Sequence, residues 1–189
     1  ITVENVSFDF SKIIKRSRDI SDLITKNVEM LIKKNKIDRL RGTGSFTDSK
    51  TIAVSDEKGK ALETVTADHI IIATGASPKL VPSIPVDHKH IITSREAMVL
   101  NEVPKRLTVI GAGAIGIEFA YFYSVLGSKV TIIEMLDHIL PIEDEEVSMT
   151  LEKNFKKRGI EIRTGVKVEA AKVNNKKKTG HFSIKRKIN

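Results

Sequence analysis

The sequence predicts an α/β chain built around a parallel sheet, with a small β-meander ahead of it. Three observations lead there. After Pro104, short apolar strands alternate with helix-length segments, the pattern of parallel strands joined by right-handed helical crossovers. The first of those strands runs directly into a glycine-rich turn that opens a helix. Upstream, shorter strand-like runs are separated by Gly-, Asp- and Lys-rich turns at residues 42–44 and 56–59.

Taken in order, the first element is a long amphipathic helix over residues 10–35. Ile13, Ile20, Leu23, Ile24, Val28, Leu31 and Ile32 recur at three- and four-residue spacing with charged residues between them. Such a stripe needs a partner surface. Residues 37–40, 51–54 and 64–73 then read as strands. The run Ile70-Ile71-Ile72-Ala73 is apolar throughout, as a strand buried on both faces would be. Pro78, Pro82 and Pro85 follow, so a boundary or crossing segment is expected between residues 76 and 104. Beyond it come a strand at 107–110, a helix at 114–126 closed by Gly127, and a strand at 130–133. A charged helix at 143–158 capped by Gly159, a strand at 160–163 and another at 166–173 complete the series. A turn is expected at 174–179.

Composition excludes several classes. With 189 residues of which 40% are hydrophobic, the chain is long enough for a core in one large or two small domains. The absence of cysteine removes a disulfide framework, a thiolate zinc site and a catalytic or redox thiol from these residues. No apolar run has the length of a membrane span, and residues 1–10 do not form a signal peptide. A chain that begins at Ile1 points to processing or truncation. The net charge of +8 is a local feature. Seven basic residues (Lys172, Lys176, Lys177, Lys178, Lys185, Arg186, Lys187) and no acid lie from Lys172 onward, which leaves +1 for residues 1–171. Nucleic-acid binding would want aromatics or a recognition helix beside those charges, and only Phe182 is offered, so a solvated strand-turn-strand is the better expectation.

Chemistry is concentrated in residues 107–134. Gly111, Gly113 and Gly116 follow an apolar strand and open a helix, and Glu134 ends the next strand eighteen residues after Gly116. A lone GxGxxG is a weak signal, but with this context it describes a dinucleotide-binding unit of the Rossmann type. Gly111 permits the tight turn, Gly113 lets the backbone approach a pyrophosphate, and Gly116 lets helix pack on strand. The free N–H groups around Ala114, Ile115, Gly116 and Ile117 face the phosphates. Glu134 accepts from ribose hydroxyls and repels a 2′-phosphate. Met135 and Leu136 follow instead of Arg, so NAD is expected over NADP.

Other groups are weaker. His69, His88, His90, His138 and His181 are scattered and have no acid or Cys cluster around them, so no metal site is expected. Glu143, Asp144, Glu145 and Glu146 sit where a helix begins and read as capping. Thr93 and Ser94 have no His or acid at triad spacing.

Several stretches, in order, resemble the flavin-dependent pyridine nucleotide–disulfide oxidoreductases, and within them the dihydrolipoamide dehydrogenase branch. Asn35–Phe46 is similar to the family's strand and Gly-x-Gly turn, Asp68–Pro78 contains its Ala-Thr-Gly motif, and Pro104–Glu118 its NAD fingerprint. The resemblance implies that Gly44, Thr74 and Gly75 lie along FAD. It implies that Gly111, Ala112, Gly113, Ala114, Ile115, Gly116, Glu118, Glu134 and Val168 hold NAD. Glu118 would sit near flavin and nicotinamide, paired in the family with a lysine that has no counterpart here. Residues 1–103 would be the central part of an FAD domain and 104–189 the first portion of an NAD domain.

In the family an upstream GxGxxG and Cys-x4-Cys pair, and a downstream interface domain with a His–Glu base, complete the enzyme; neither occurs in these residues. The expectation is therefore a middle fragment, inactive alone, whose parent passes electrons from dihydrolipoamide through a Cys pair and FAD to NAD+. The implied partner of that parent is the lipoamide-bearing acyltransferase of 2-oxo acid dehydrogenase complexes, and the parent would be a homodimer in the cytoplasm, or in the matrix of a mitochondrion. Mercuric reductase, soluble transhydrogenase and an inactive NAD-binding or structural module stay open as alternatives.

Overall fold

Packing divides the chain into two units. In a computed structural model, which describes residues 6–174 and, as backbone, 179–186, one unit is Arg16–Ser77 and the other is Ile1–Lys15 with Pro78–Asn189. The division at Ser77/Pro78 falls inside the proline-marked segment. The expected turn at 174–179, and the side chains of the basic run beyond Val173, lie outside the described residues.

Helix α1 (Phe10–Lys34) forms where the three- and four-residue periodicity places it. Asp9 starts it: its carboxylate accepts from the Ser11 and Lys12 amides at 3.0 and 3.3 Å. Lys33 and Lys34 in the last turn suit the negative end of the helix dipole. Phe10 is its buried residue, whereas Leu23, Ile24 and Leu31 are more than half exposed. The amphipathic stripe thus exists but is left open among the described residues.

Three short strands follow in an antiparallel meander, β1 (Thr43–Phe46), β2 (Thr51–Ser55) and β3 (Ala61–Thr66). One expected strand does not form, and another is cut short: of residues 64–73 only 64–66 lie in a strand, β3. Residues 37–40 are irregular and pair with no described strand, while the Arg39 guanidinium bonds Glu29 on α1 at 2.8 Å. Residues 70–73 are also irregular, and Ile71 and Ile72 are 89% and 72% exposed. An apolar run becomes a strand only when a neighbouring strand satisfies its backbone, and no described strand pairs with this one. Conversely β1 occupies the glycine-rich stretch read as a turn, with Gly44 opposite Val54.

The second unit carries the strand–helix alternation. Strands β4 (Arg106–Ile110), β5 (Lys129–Ile133) and β6 (Glu161–Arg163) form a parallel sheet in that order. Helix α3 (Ala114–Val125) joins the first two and α4 (Glu145–Lys157) the second pair. Side chains alternate across β5. Val130 and Ile132 enter the cluster that α3 and α4 cover, with Ala120, Tyr123 and Phe155; Ile133 enters a separate cluster with Ile84, Ile91, Val166 and Val168. Strand β7 (Val166–Asn174) departs from the parallel sheet and pairs antiparallel with β8 (Thr179–Arg186). The first strand of that ribbon falls where a strand was expected at 166–173; the turn expected to follow it lies outside the described residues.

The segment before β4 is ordered by local hydrogen bonds. Thr93, weighed above as a nucleophile, is the N-cap of a short helix α2 (Ser94–Ala97) and exchanges bonds with Glu96 in a capping box. Glu96 also contacts His88 at 2.8 Å; bonds from Thr93 and then His88 lower its carboxyl pKa to about 2. Asp87 is depressed too: burial would raise it, but the amides of Ile91, Lys89 and His90 outweigh burial.

Tyr123 fastens this segment to α3. Its ring is fully buried, 5.0 Å from Phe122 in an edge-on pair and 6.4 Å from Phe119, and burial pushes its phenol pKa up. The phenol donates to the Ala97 carbonyl at 2.6 Å. Tyr123→Phe keeps the ring contacts and leaves that carbonyl without its donor. It should lower unfolding free energy by about 1 kcal/mol in urea denaturation; an unchanged midpoint would contradict the bond's role.

Candidate functional site: a glycine turn held by a buried glutamate

Strand β4 ends at Ile110, and the chain reverses immediately. Gly111 takes φ +97°, a conformation that side chains rarely adopt, and its N–H donates to the Ile133 carbonyl at 2.8 Å. The turn is thereby tied to the end of β5. Ala112 is fully buried. Gly113 is the N-cap of α3, in extended conformation, and has no side chain with which to cap the helix.

Gly116 is required for a different reason. A Cβ at this position would collide with the Gly111 carbonyl oxygen and stand 3.1 Å from Val109 Cγ1. Only hydrogen lets α3 lie this close to β4. At Gly113 a Cβ would meet nothing within 4 Å. The first glycine serves the turn, the third serves packing, and the second faces open space in front of the helix.

An α-helix leaves its first N–H groups without intrahelical acceptors. In α3 the first intrahelical bond runs from Ile117 N–H to the Gly113 carbonyl at 3.0 Å. The N–H groups ahead of it, at Ala114 to Gly116, lie on the positive end of the helix dipole beside the open face of Gly113. Ala114 and Ile115 are exposed. The arrangement suits an anion.

Glu134, immediately after β5, is 8% exposed. Its Oε2 accepts from Ala112 N–H at 2.7 Å and its Oε1 from Leu136 N–H at 2.8 Å. Its backbone is engaged as well, donating to the Arg163 carbonyl at 2.8 Å and accepting from Val166 N–H at 2.9 Å. A further bond, Leu140 N–H to the Ala112 carbonyl at 2.8 Å, closes the glycine turn from the other side. Leu140 itself sits at φ +47°, and its carbonyl accepts from the fully buried Ser148 hydroxyl at 3.2 Å.

The sequence brings Gly111, Ala112, Gly113, Ala114, Ile115, Gly116 and Glu134 into one place. It does not announce that Glu134 is bonded into the turn, nor that Leu140 braces it, and the mostly apolar run 135–142 carries no signal that singles Leu140 out. Glu118 lies on another face, at a groove of about 740 Å³ between α3 and α4 lined also by Tyr121, Phe155 and Arg158. Val168 is buried with Ile133 in the second cluster. Gly44, Thr74 and Gly75 belong to the other unit, where they are exposed, and Gly75 takes φ +75°. The acidic run behaves as a cap: Asp144 accepts from Glu146 N–H at 2.9 Å and Val147 N–H at 3.4 Å.

With this geometry in hand, comparison with known proteins assigns the class. Residues 2–188 match the family described as pyridine nucleotide-disulphide oxidoreductase, and the chain belongs to that family. It is 43% identical over 168 residues to the dihydrolipoyl dehydrogenase of Chlorobaculum parvum, an alignment that covers 89% of this chain and 36% of that protein. Its fold superimposes on the crystal structure of LpdA from Mycobacterium tuberculosis with a TM-score of 0.85 at 25% identity, covering 96% of this chain and 40% of that one. The flavoprotein disulfide reductase RclA of Escherichia coli is similar at a TM-score of 0.72 and 28% identity, over 89% of this chain and 38% of that one. The chain therefore spans between a third and two fifths of the length of these relatives. No described helix is long and apolar enough to cross a membrane.

The two glycines separate folding from binding. Gly116→Ala should cost about 1–3 kcal/mol of stability, as overpacking does. Gly113→Ala should cost less than about 1 kcal/mol, since its methyl group meets open space and only the cap preference changes. Urea denaturation of both variants checks the order; equal losses would contradict it.

Proposed function

We propose that the glycine turn and the first turn of α3 hold the pyrophosphate of NAD(H), and that Glu134 receives the adenosine ribose. The observation that carries this is the open face at Gly113 in front of uncapped helix N–H groups, with a fixed carboxylate at the end of the adjacent strand. Each part fits the dinucleotide. Phosphate oxygens need donors and a positive field, which the Ala114–Gly116 amides supply. Ribose hydroxyls need an acceptor, and each Glu134 oxygen keeps a lone pair beyond its bond to the backbone. Met135 and Leu136, both partly exposed, bring no cation for a 2′-phosphate.

Bound there, the nicotinamide supplies the hydride acceptor. The residues of this chain bind and orient it. In the whole protein this reading makes the chain part of a dihydrolipoyl dehydrogenase-type enzyme that takes electrons from dihydrolipoamide, through a cysteine pair and FAD, to NAD+. None of the 189 residues is a cysteine, so the thiol chemistry falls to residues outside them. Gly44, Thr74 and Gly75 are assigned to FAD, Glu118 to the nicotinamide side and Val168 to NAD, all supported by family membership. The name of the relative in Chlorobaculum parvum, dihydrolipoyl dehydrogenase, supports a dihydrolipoyl substrate; a lipoamide-bearing acyltransferase as partner and a dimeric parent are part of the same proposal. The same reading places the parent in the cytoplasm, or in the mitochondrial matrix of a eukaryote.

Fluorescence titration of the 189-residue chain tests the site. NADH should bind at least about tenfold more tightly than NADPH, because a 2′-phosphate would be set against the Glu134 carboxylate. Equal affinities, or preference for NADPH, would reject the assignment. The chain alone should not reduce NAD+ with dihydrolipoamide, and turnover in that assay would reject the assignment of the thiol chemistry to residues elsewhere.

A further inference from the structure

Glu134 stands in a position that ribose recognition alone does not explain. A residue whose sole task is to receive two hydroxyls would keep its carboxylate exposed and free. This carboxylate is nearly buried, and each of its oxygens already accepts a backbone N–H, one from Ala112 inside the glycine turn and one from Leu136 at the start of the following loop. Ala112 is the residue between the two glycines that shape the turn. Its other backbone group, the carbonyl, accepts from Leu140 in the same loop. The turn is therefore held at both polar groups of a single buried alanine, and the carboxylate supplies one of the two anchors.

We propose that Glu134 supports nucleotide binding through the shape of the glycine turn as well as through the ribose, so that removing the carboxylate weakens binding of both nucleotides instead of admitting the phosphorylated one. The proposal rests on the NAD reading given above. It follows from counting donors. Two convergent N–H groups need two acceptors, and only an ionised carboxylate offers one on each arm. A glutamine of the same shape presents an oxygen to one N–H and sets its own NH2 against the other, leaving a buried donor unpaired or pushing the backbone away. Aspartate, one methylene shorter, cannot span the same pair. A side chain chosen to welcome a 2′-phosphate, small or cationic, has no acceptor for either N–H. Exchange of specificity at this site thus requires a second change that satisfies Ala112 and Leu136.

The test uses Glu134→Gln in the 189-residue chain, with two readouts. The first needs no ligand: hydrogen exchange at the Ala112 and Leu136 amides should be slow in the parent chain and accelerate by about tenfold or more in the variant at one or both positions, the scale of a lost bond to a charged acceptor. Unchanged exchange would overturn the clamp. The second compares ADP with 2′,3′-dideoxy-ADP, which keeps the pyrophosphate and lacks the hydroxyls that Glu134 would receive. If Glu134 acts through the turn, the variant loses affinity for both, by about tenfold for the dideoxy compound. Weakening confined to ADP would mean that Glu134 serves the ribose alone and would overturn the proposal. Tighter NADPH binding by the variant would do the same. Failure of the parent chain to bind NADH or ADP would instead reject the NAD reading, and the binding role of Glu134 with it, whatever the exchange data show about the clamp. A circular dichroism spectrum equal to the parent's shows that the variant is folded; Glu134→Ala, which offers neither acceptor, should exceed Glu134→Gln in both readouts.

Discussion

The approach of α3 to β4 is the constraint on which the site depends. It is possible only because residue 116 has no side chain: a methyl group there would occupy the place of the Gly111 carbonyl oxygen. From that contact the rest follows geometrically. Only three residues separate the end of the strand from the start of the helix, the helix's first N–H groups emerge beside the turn, and the turn must take a left-handed conformation at Gly111 to make the reversal. Were the helix displaced outward by a side chain, the amides would no longer share a location with the end of β5, where Glu134 sits.

A turn this tight contains backbone groups that regular structure cannot satisfy, and the fold supplies partners for three of them. Gly111 N–H finds the Ile133 carbonyl, Ala112 N–H finds Glu134, and the Ala112 carbonyl finds Leu140 N–H. The amides of Ala114 to Gly116 are the ones that helix geometry leaves to a ligand. Rigid support around a few deliberately unsatisfied donors is what a preorganised anion site requires. The same bonds bring β5, the 135–140 loop and the β6–β7 junction together, so the polar network that orders the site also closes one end of the parallel sheet.

How much of this was legible in the sequence depends on the range of the interactions that decide it. The parallel strands, both crossover helices and the glycine turn are specified locally, by apolar runs, by helix periodicity and by residues that only tight turns demand, and all of them form. Residues 37–40, and residues 70–73 at the end of the longer expected strand, are irregular because strand formation is settled by a pairing partner, not by apolar character. The meander strand Thr43–Phe46 was concealed by its glycine, which reads as a turn until Val54 is seen across from it. Thr93 looked like an idle hydroxyl and is an N-cap, because its partner Glu96 lies three residues on in the sequence but its role emerges only once α2 exists. Glu134 was correctly placed at the end of its strand. Its bond to Ala112 spans 22 residues and could not be read from either position alone.

The claim that the α3 N-terminus receives a dinucleotide pyrophosphate is tested most directly by amide chemical-shift mapping of the 15N-labelled chain during an NADH titration. The account predicts that the largest shifts fall on Gly113, Ala114, Ile115 and Gly116, with Ala112 and Leu136 following as ribose reaches Glu134. Shifts concentrated instead in the groove between α3 and α4, or none at the glycine turn at saturating NADH, would contradict it.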